Sequence, residues 1–295
     1  MTFTEDDIEV LFYLQRYGFL TIRQAIRTLD KGRSYQNMAR RLKSMADQGY
    51  LGAFGGHKFG FANVPKVYFL REQGYGVLSE NRFEAEYIGE FRKRKKPAWT
   101  PQTMHRMNLV EVLLSLEIGI RSIDFLDIAR IFLDYNRTKV GSRVVCETTD
   151  FLDSGSAVGS KIVPDAAFVI RSSRTEAKTL FFVELDRGTE GIVSRIEANA
   201  DRSLVNKFEK YERYLGSGKF ADKYREWGDF DSFVLLFVTT TAARVDNIRH
   251  KLTGLNEDYH EYYLFNTFES VVENFFREDW KNRSMTDNSL YSVLS

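Results

Sequence analysis

Residues 232–239 read Ser-Phe-Val-Leu-Leu-Phe-Val-Thr, an extended run with apolar side chains at both odd and even positions. Successive side chains of a strand point to opposite faces, so this strand has no face to offer water. It must lie inside a sheet covered on both sides, the condition of a three-layer α/β domain. The neighbouring segments supply the cover. Helical spacing predicts helices over 103–121 (Leu109, Val112, Leu113 and Leu116 on one stripe), 192–215, 242–252 and 268–276. Strands are predicted over 125–133, 161–171, 179–186 and 262–265. The order is α-β-β-β-α-β followed by α-β-α, around a mixed central sheet. Residues 137–159 read as loop-rich with one short strand at 144–148, and the stretch after Trp280 as a polar, frayed tail.

The front of the chain follows another pattern. Thr4 is placed to cap a helix that stops near Gly18, Thr21 a second through Leu29, and Ser34 a third through about Gln48. In the third helix Met38, Leu42 and Met45 share one face. Arg33, Gln36, Asn37, Arg40 and Lys43 share another, with Arg41 beside them. Two strands then flank a Gly-rich loop carrying His57 and Lys58. Three helices and a hairpin is the order of a winged helix-turn-helix, which sets its third helix in the major groove and its wing near phosphates. Arg and Lys read guanine, Asn and Gln adenine. Arg33, Gln36, Asn37, Arg40 and Lys43 are therefore the expected DNA contacts, with His57 and Lys58 at the wing tip. A solvated charged face, or a winged helix used for protein contacts, is the plainer alternative. Residues 1–80 would form this domain, 81–102 a basic linker (Arg92–Lys96 are five cations in a row), 103–280 the α/β domain and 281–295 the tail.

Charge follows the same division. The net value of +1 hides 17 Lys and Arg against 11 Asp and Glu in residues 1–100, a net of +6, and 25 against 30 in residues 101–295, a net of −5. A basic front suits a polyanion such as double-stranded DNA, and an acidic back suits cations. Hydrophobic residues make up 43% of the 295, enough for packed cores, which excludes global disorder. An acidic N-terminus without an apolar stretch, and no long apolar run, lead us to expect a cytoplasmic protein without membrane partners. The single cysteine, Cys146, excludes an intrachain disulfide and a cysteine-based zinc site. The four histidines, at 57, 105, 250 and 260, are too scattered for a paired-histidine metal site. A chain with 24 Phe could also pair through an apolar face as a homodimer.

The chemistry concentrates on two predicted strands. Pro164-Asp165 opens one, and Glu184-Leu185-Asp186 closes the next after the apolar run Leu180–Val183. Alternation sends Glu184 and Asp186 to one face, and pairing of the two strands would bring Asp165 to it. Three carboxylates at one strand end repel one another unless a hard cation sits among them, and oxygen donors suit Mg²⁺ or Mn²⁺. Tyr211 and Tyr214 could attack a phosphodiester covalently, but their helical spacing fits core packing better.

Pro164-Asp165, a gap of 18 residues and Glu184-x-Asp186 within an αβββαβ order resemble the PD-(D/E)-x-K nuclease fold of restriction endonucleases. With the front helices, YFLREQGYGVL, the helix at His105, VPDAAFVI, FFVELDRGTE, Lys207 and Tyr211, the chain more closely resembles the plasmid and phage replication-relaxation family. That resemblance covers nearly the whole chain and implies a role in replication or mobilisation, with replication or mobilisation proteins as further partners and DNA nicking as the activity. It implies Asp165 and Glu184 as metal carboxylates, the Leu185 carbonyl as a further ligand, and Glu111 or Glu117 as the acid on the first helix. Asp186 stands where the motif has lysine, so Lys207, with Lys210 as its neighbour, is the candidate for a migrated lysine. The catalytic set is then Asp165, Glu184, Asp186 and Lys207, with Mg²⁺ or Mn²⁺ as cofactor. The competing expectation is a winged-helix regulator of replication or transcription whose nuclease-like scaffold does not cut.

Overall fold

The computed structural model describes residues 1–29, 32–56, 58–59, 62–81, 90–91, 99–140, 143–152, 161–188, 190–193, 203–287 and 289–294, and at 58–59, 62–63 and 140 the backbone only. The basic run Arg92–Lys96 lies outside the described residues. Two compact units divide the chain, Met1–Leu114 and Ser115–Ser295.

In the first unit, α1 (Glu5–Tyr17) begins at Thr4, whose hydroxyl accepts from the Asp7 amide while the Asp7 carboxylate accepts from the Thr4 amide at 2.8 Å. This reciprocal cap satisfies two amides that a helix start leaves open. The helix ends at Gly18, whose φ of 77° is the left-handed conformation that glycine adopts without strain. A two-residue strand, β1 (Leu20–Thr21), leads into α2 (Ile22–Arg27), capped by Thr21, and then α3 (Tyr35–Asp47), capped by Ser34. β2 (Leu51–Gly55), β3 (Lys58–Phe59), β4 (Ala62–Asn63), β5 (Lys66–Leu70) and α4 (Glu72–Asn81) follow. β5 pairs antiparallel with β2 and β1, and β3 with β4. Leu11, Leu14, Leu20, Ala25, Leu42, Met45 and Val67 close the core. The three helix caps fall where the sequence puts them; β1, at two residues, is too short for alternation to reveal.

Next comes α5 (Pro101–Ile120), polar in its first turns and mostly apolar from Leu109 on, with Leu109, Val110, Val112, Leu113, Leu114 and Leu116 buried. The division between the units falls within it.

The second unit is built on β6 (Leu126–Leu133), a hairpin of β7 (Arg137–Val140) and β8 (Arg143–Cys146), β9 (Asp150–Phe151), β10 (Lys161–Ile162), β11 (Ala166–Ser172) and β12 (Lys178–Leu185). Then come α6 (Leu204–Ser217), α7 (Lys219–Tyr224), β13 (Val234–Thr239), α8 (Ala242–Lys251), β14 (Tyr263–Thr267), α9 (Phe268–Glu273) and β15 (Lys281–Asn282). Its six-stranded sheet runs β15-β14-β13-β12-β11-β6, with β12, β13 and β14 parallel and the other pairings antiparallel. β13 is central and buried, as its sequence requires. On one face Leu180, Phe182, Leu235 and Phe237 pack against Phe208, Tyr211 and Tyr214 of α6 and Val245 and Ile248 of α8. On the other, Phe168 stacks on Phe181 and meets Phe275 edge-on.

Two expectations need correction. The region after residue 137 holds a full hairpin, not one short strand. The tail is packed, not frayed: β15 pairs with β14, and Trp280 and Tyr291 exchange both backbone hydrogen bonds. The buried Arg249 guanidinium also donates to the Asn282 carbonyl at 2.6 Å. Polar composition hid this, because backbone pairing and two buried arginines, Arg249 and Arg283, hold the segment rather than an apolar stripe.

Candidate functional site

The antiparallel register of β11 and β12 sets Ala166 opposite Val183, so one step outward Asp165 stands across from Glu184. Three hydrogen bonds hold the corner before it. Thr148 Oγ1 donates to the Pro164 carbonyl at 2.7 Å, the Asp134 amide to the Asp165 carbonyl at 3.1 Å, and the Leu185 amide to Asp165 Oδ2 at 2.8 Å. Leu185 thus contributes its N–H to this corner, and its side chain is buried.

Glu184 is 4% exposed and points from β12 toward α6. Lys207 and Tyr211, four residues apart and so on one helix face, both reach it. Tyr211 donates its hydroxyl to Glu184 Oε1 at 2.5 Å, and Lys207 Nζ donates to Oε2 at 3.2 Å. Burial pushes the Glu184 carboxyl up to about 7; Lys207 pulls it down and the nearby Asp165 charge pushes it up further. Burial opposes the Lys207 ammonium, yet Glu184, Glu190 and Asp165 together hold it above its ordinary range. Glu190 also pairs with Lys207, at 3.3 Å. Beside this group opens a cleft of about 440 Å³ lined by Lys161, Glu184, Glu190, Ser203, Lys207, Lys210 and Tyr211, with Ile162 and Val163. Neither Asp165 nor Asp186 lines it.

Asp186 does not join Asp165 and Glu184, which corrects the expected carboxylate triad. It shares their sheet face but belongs to another network. Leu185 is in register with Val238, so the next residues, Asp186 and Thr239, are neighbours. Thr239 donates to Asp186 Oδ2 at 2.7 Å, the Gly188 amide donates to Oδ1 at 2.9 Å, and Arg244 in the first turn of α8 completes an ion pair. Burial works against the charge, but these donors hold the Asp186 carboxyl below its ordinary value. Arg244 also donates to the Glu190 carbonyl at 2.7 Å, so the partner of Asp186 also holds the residue that pairs with Lys207. Among the described residues no three His, Cys, Asp or Glu are grouped so as to hold a metal ion. The remaining candidate donors are two carboxylates and a main-chain carbonyl. Glu111 pairs with Arg27 inside the first unit, and Glu117 is buried in the second. Tyr211 and Tyr214 are both buried, with Tyr214 donating to Asp150 at 2.5 Å. Burial raises both phenols far from ionisation, so they serve packing and hydrogen bonding.

In the first unit α3 leaves Gln36, Asn37, Arg40 and Lys43 exposed on one face, with Tyr35 (51% exposed) at its start. Arg40 bonds to Asn37 and Lys43 to Asp47, both pairs at the surface and therefore exchangeable for a ligand. Arg33 is half-buried and paired with Asp6. Arg41 is tied to buried Asp7, at 2.9 Å from Nε to Oδ1, which makes it a brace between α1 and α3. His57 lies outside the described residues, and Lys58 is described only as backbone paired with Asn63. Sequence reasoning missed Glu190, Arg244 and Tyr35. The first two act through contacts 17 and 58 residues away, which no local pattern carries.

The profile of the replication-relaxation family matches residues 11–228. No curated protein matches the chain. Among solved structures, the chain is similar to Bacillus subtilis PadR in a crystal structure with operator DNA, at 12% identity and a TM-score of 0.23 over 41% of this chain and 69% of that one. Among the described residues no helix is long and apolar enough to cross a membrane.

Proposed function

The chain belongs to the replication-relaxation family, and from that premise we propose that it is a DNA-binding protein of replication or mobilisation that nicks DNA at a divalent-cation site in its second unit. One observation carries the reading: Glu184 pairs with the Lys207 ammonium beside an open cleft, and Asp165, just before the adjacent strand, stands across from Glu184 in the register. In this reading the three stand for the aspartate, glutamate and lysine of a PD-(D/E)-x-K site, with the lysine moved from the strand to the helix that follows it. The αβββαβ order of α5, β6, β11, β12, α6 and β13, with β13 parallel to β12, supports the same nuclease-like fold.

The donor set fits Mg²⁺ or Mn²⁺, which bind through one or two carboxylates and complete their shell with water and phosphate oxygens. Asp165 and Glu184 would hold the ion, with the Leu185 carbonyl as a further donor. When bound, such an ion supplies Lewis-acid polarisation of the phosphate. Lys207 is placed to offset negative charge developing on the phosphate, and Lys161 and Lys210 on the cleft wall give a polyanion its counter-charge. Asp186 serves as a brace. In the first unit, the helix order, the paired strands after α3 and the exposed Gln36, Asn37, Arg40 and Lys43 support a winged helix that reads duplex DNA.

The test is conversion of supercoiled plasmid to open circles with Mg²⁺ or Mn²⁺. Asp165→Asn, Glu184→Gln and Lys207→Ala should each lower the rate by about 100-fold or more, the scale for removing a group that stabilises a transition state. Full nicking by the Asp165→Asn, Glu184→Gln double variant would refute the site. One observation favours a second reading, a replication regulator with a non-cutting scaffold. Both Glu184 oxygens already accept hydrogen bonds, and Asp165 stands outside the cleft lining. That reading predicts no nicking by the wild-type chain with either ion.

A further inference from the structure

The β7–β8 hairpin stands apart from the six-stranded sheet as its own two-stranded ribbon. Between Tyr135 and Cys146 the sequence holds Arg137, Lys139 and Arg143 and no acidic residue, within a region that is net acidic from 101 onward. All three cations are exposed. The register sets Arg137 opposite Cys146 and Lys139 opposite Val144, so Arg137 and Lys139 share one face, and Arg143, opposite Val140, lies on the other. Val144, at 62% exposure, is the most exposed large apolar residue of the described chain.

The base of the ribbon is firmly built. The Glu147 carboxylate accepts from Arg130 at 3.1 Å, from the Leu133 amide at 3.2 Å and from Asn136 Nδ2 at 3.0 Å, and the Glu147 amide donates to the Asn136 carbonyl at 2.8 Å. Glu147 is thereby committed to Arg130, Leu133 and Asn136 at the foot of the ribbon. The hairpin also leaves the sheet beside the candidate site, since the Asp134 amide just before it donates to the carbonyl of Asp165.

We infer that the β7–β8 hairpin is a second DNA-binding element, a basic ribbon whose Arg137, Lys139 and Arg143 grip the phosphate backbone next to the Asp165–Glu184 site. The inference rests on the reading of the chain as one that acts on DNA. A ribbon with cations on both faces suits a groove flanked by phosphates on both sides, and a two-stranded ribbon is narrow enough to enter one. Phosphate contacts of this kind position the duplex without reading its sequence.

The experiment is duplex binding by the full chain as a function of salt, without divalent cations so that cutting does not enter. Each phosphate contact adds about 0.9 to the slope of log affinity against log salt. The Arg137→Ala, Lys139→Ala, Arg143→Ala variant should lose roughly 2–3 from that slope and bind about tenfold or more weakly near 0.1 M salt. Its melting temperature should not change, because the altered side chains are exposed. A variant with Arg137→Lys and Arg143→Lys, which keeps the charge, should recover most of the slope. An unchanged slope in the alanine variant would overturn the inference and leave the ribbon to an acidic protein partner. Absence of duplex binding by the wild type would overturn it as well. Nicking is scored separately. If the wild-type chain binds DNA but does not cut it, the site reading fails while the ribbon is still judged by its slope.

Discussion

Glu184 is where stability and activity pull in opposite directions. Its carboxyl, with an ordinary value of 4.5, is pushed to about 7 by burial, and a cation can bind it only after the proton leaves. Between those two values the folded chain holds a proton that the unfolded chain has released. Folding stability therefore falls as pH rises from about 4.5 to about 7 and is flat beyond. The drop should be of order 1–3 kcal/mol. Glu184→Gln, which cannot ionise, should lack that slope, whatever its stability at any single pH. Urea unfolding of both proteins between pH 5 and pH 8 checks this, and parallel curves would contradict it. Asp186 behaves in the opposite sense. Its carboxyl is held below the ordinary range by Arg244, Thr239 and the Gly188 amide, so its contribution is present at neutral pH and is lost only in acid. The two acids are two positions apart in the sequence, yet the carboxyl of one is pushed up and that of the other is held down, because the first meets α6 and the second α8.

At the scale of elements, α3 and α6 use one device, an apolar stripe that orients a polar stripe. Met38, Leu42 and Met45 bury one side of α3 and thereby present Gln36, Asn37, Arg40 and Lys43 outward. Arg40→Ala with Lys43→Ala should weaken duplex binding and lower its salt slope by roughly 2, with α3 itself intact since both residues are exposed. A gel-shift titration at two salt concentrations measures this, and an unchanged slope would leave α3 as a solvated face. Periodicity made these helices legible, and it made the central strand β13 legible through its unbroken apolar run. It did not reveal the β7–β8 ribbon, whose strands Arg137–Val140 and Arg143–Cys146 show no apolar alternation. The available signal there was the Gly141-Ser142 pair in the sequence, a turn-favouring dipeptide between two short segments that each hold valine. In the candidate site, the pairing of Asp165 with Glu184 was legible from two strands in sequence. The departure of Asp186 was not, because its partners come from β13 and α8, 53 and 58 residues further on.

For the whole molecule, the charge division of the chain, +6 in residues 1–100 and −5 in residues 101–295, is in keeping with the proposed polyanion binding at the front and cation binding at the back. The β7–β8 ribbon is a local exception in the acidic part, three cations without an acid between Tyr135 and Cys146. On the proposed reading DNA recognition and DNA cleavage depend on different residues, and variants of Asp165 and Glu184 should leave duplex affinity intact. The account as a whole stands on a cation shared by Asp165 and Glu184. Crystals of the full chain grown with Mn²⁺ and measured near the manganese absorption edge test that claim most directly. An anomalous peak within about 2.5 Å of carboxylate oxygens of both residues is the predicted result. A metal-free site in which Lys207 and Tyr211 still occupy both Glu184 oxygens at saturating Mn²⁺ would contradict it.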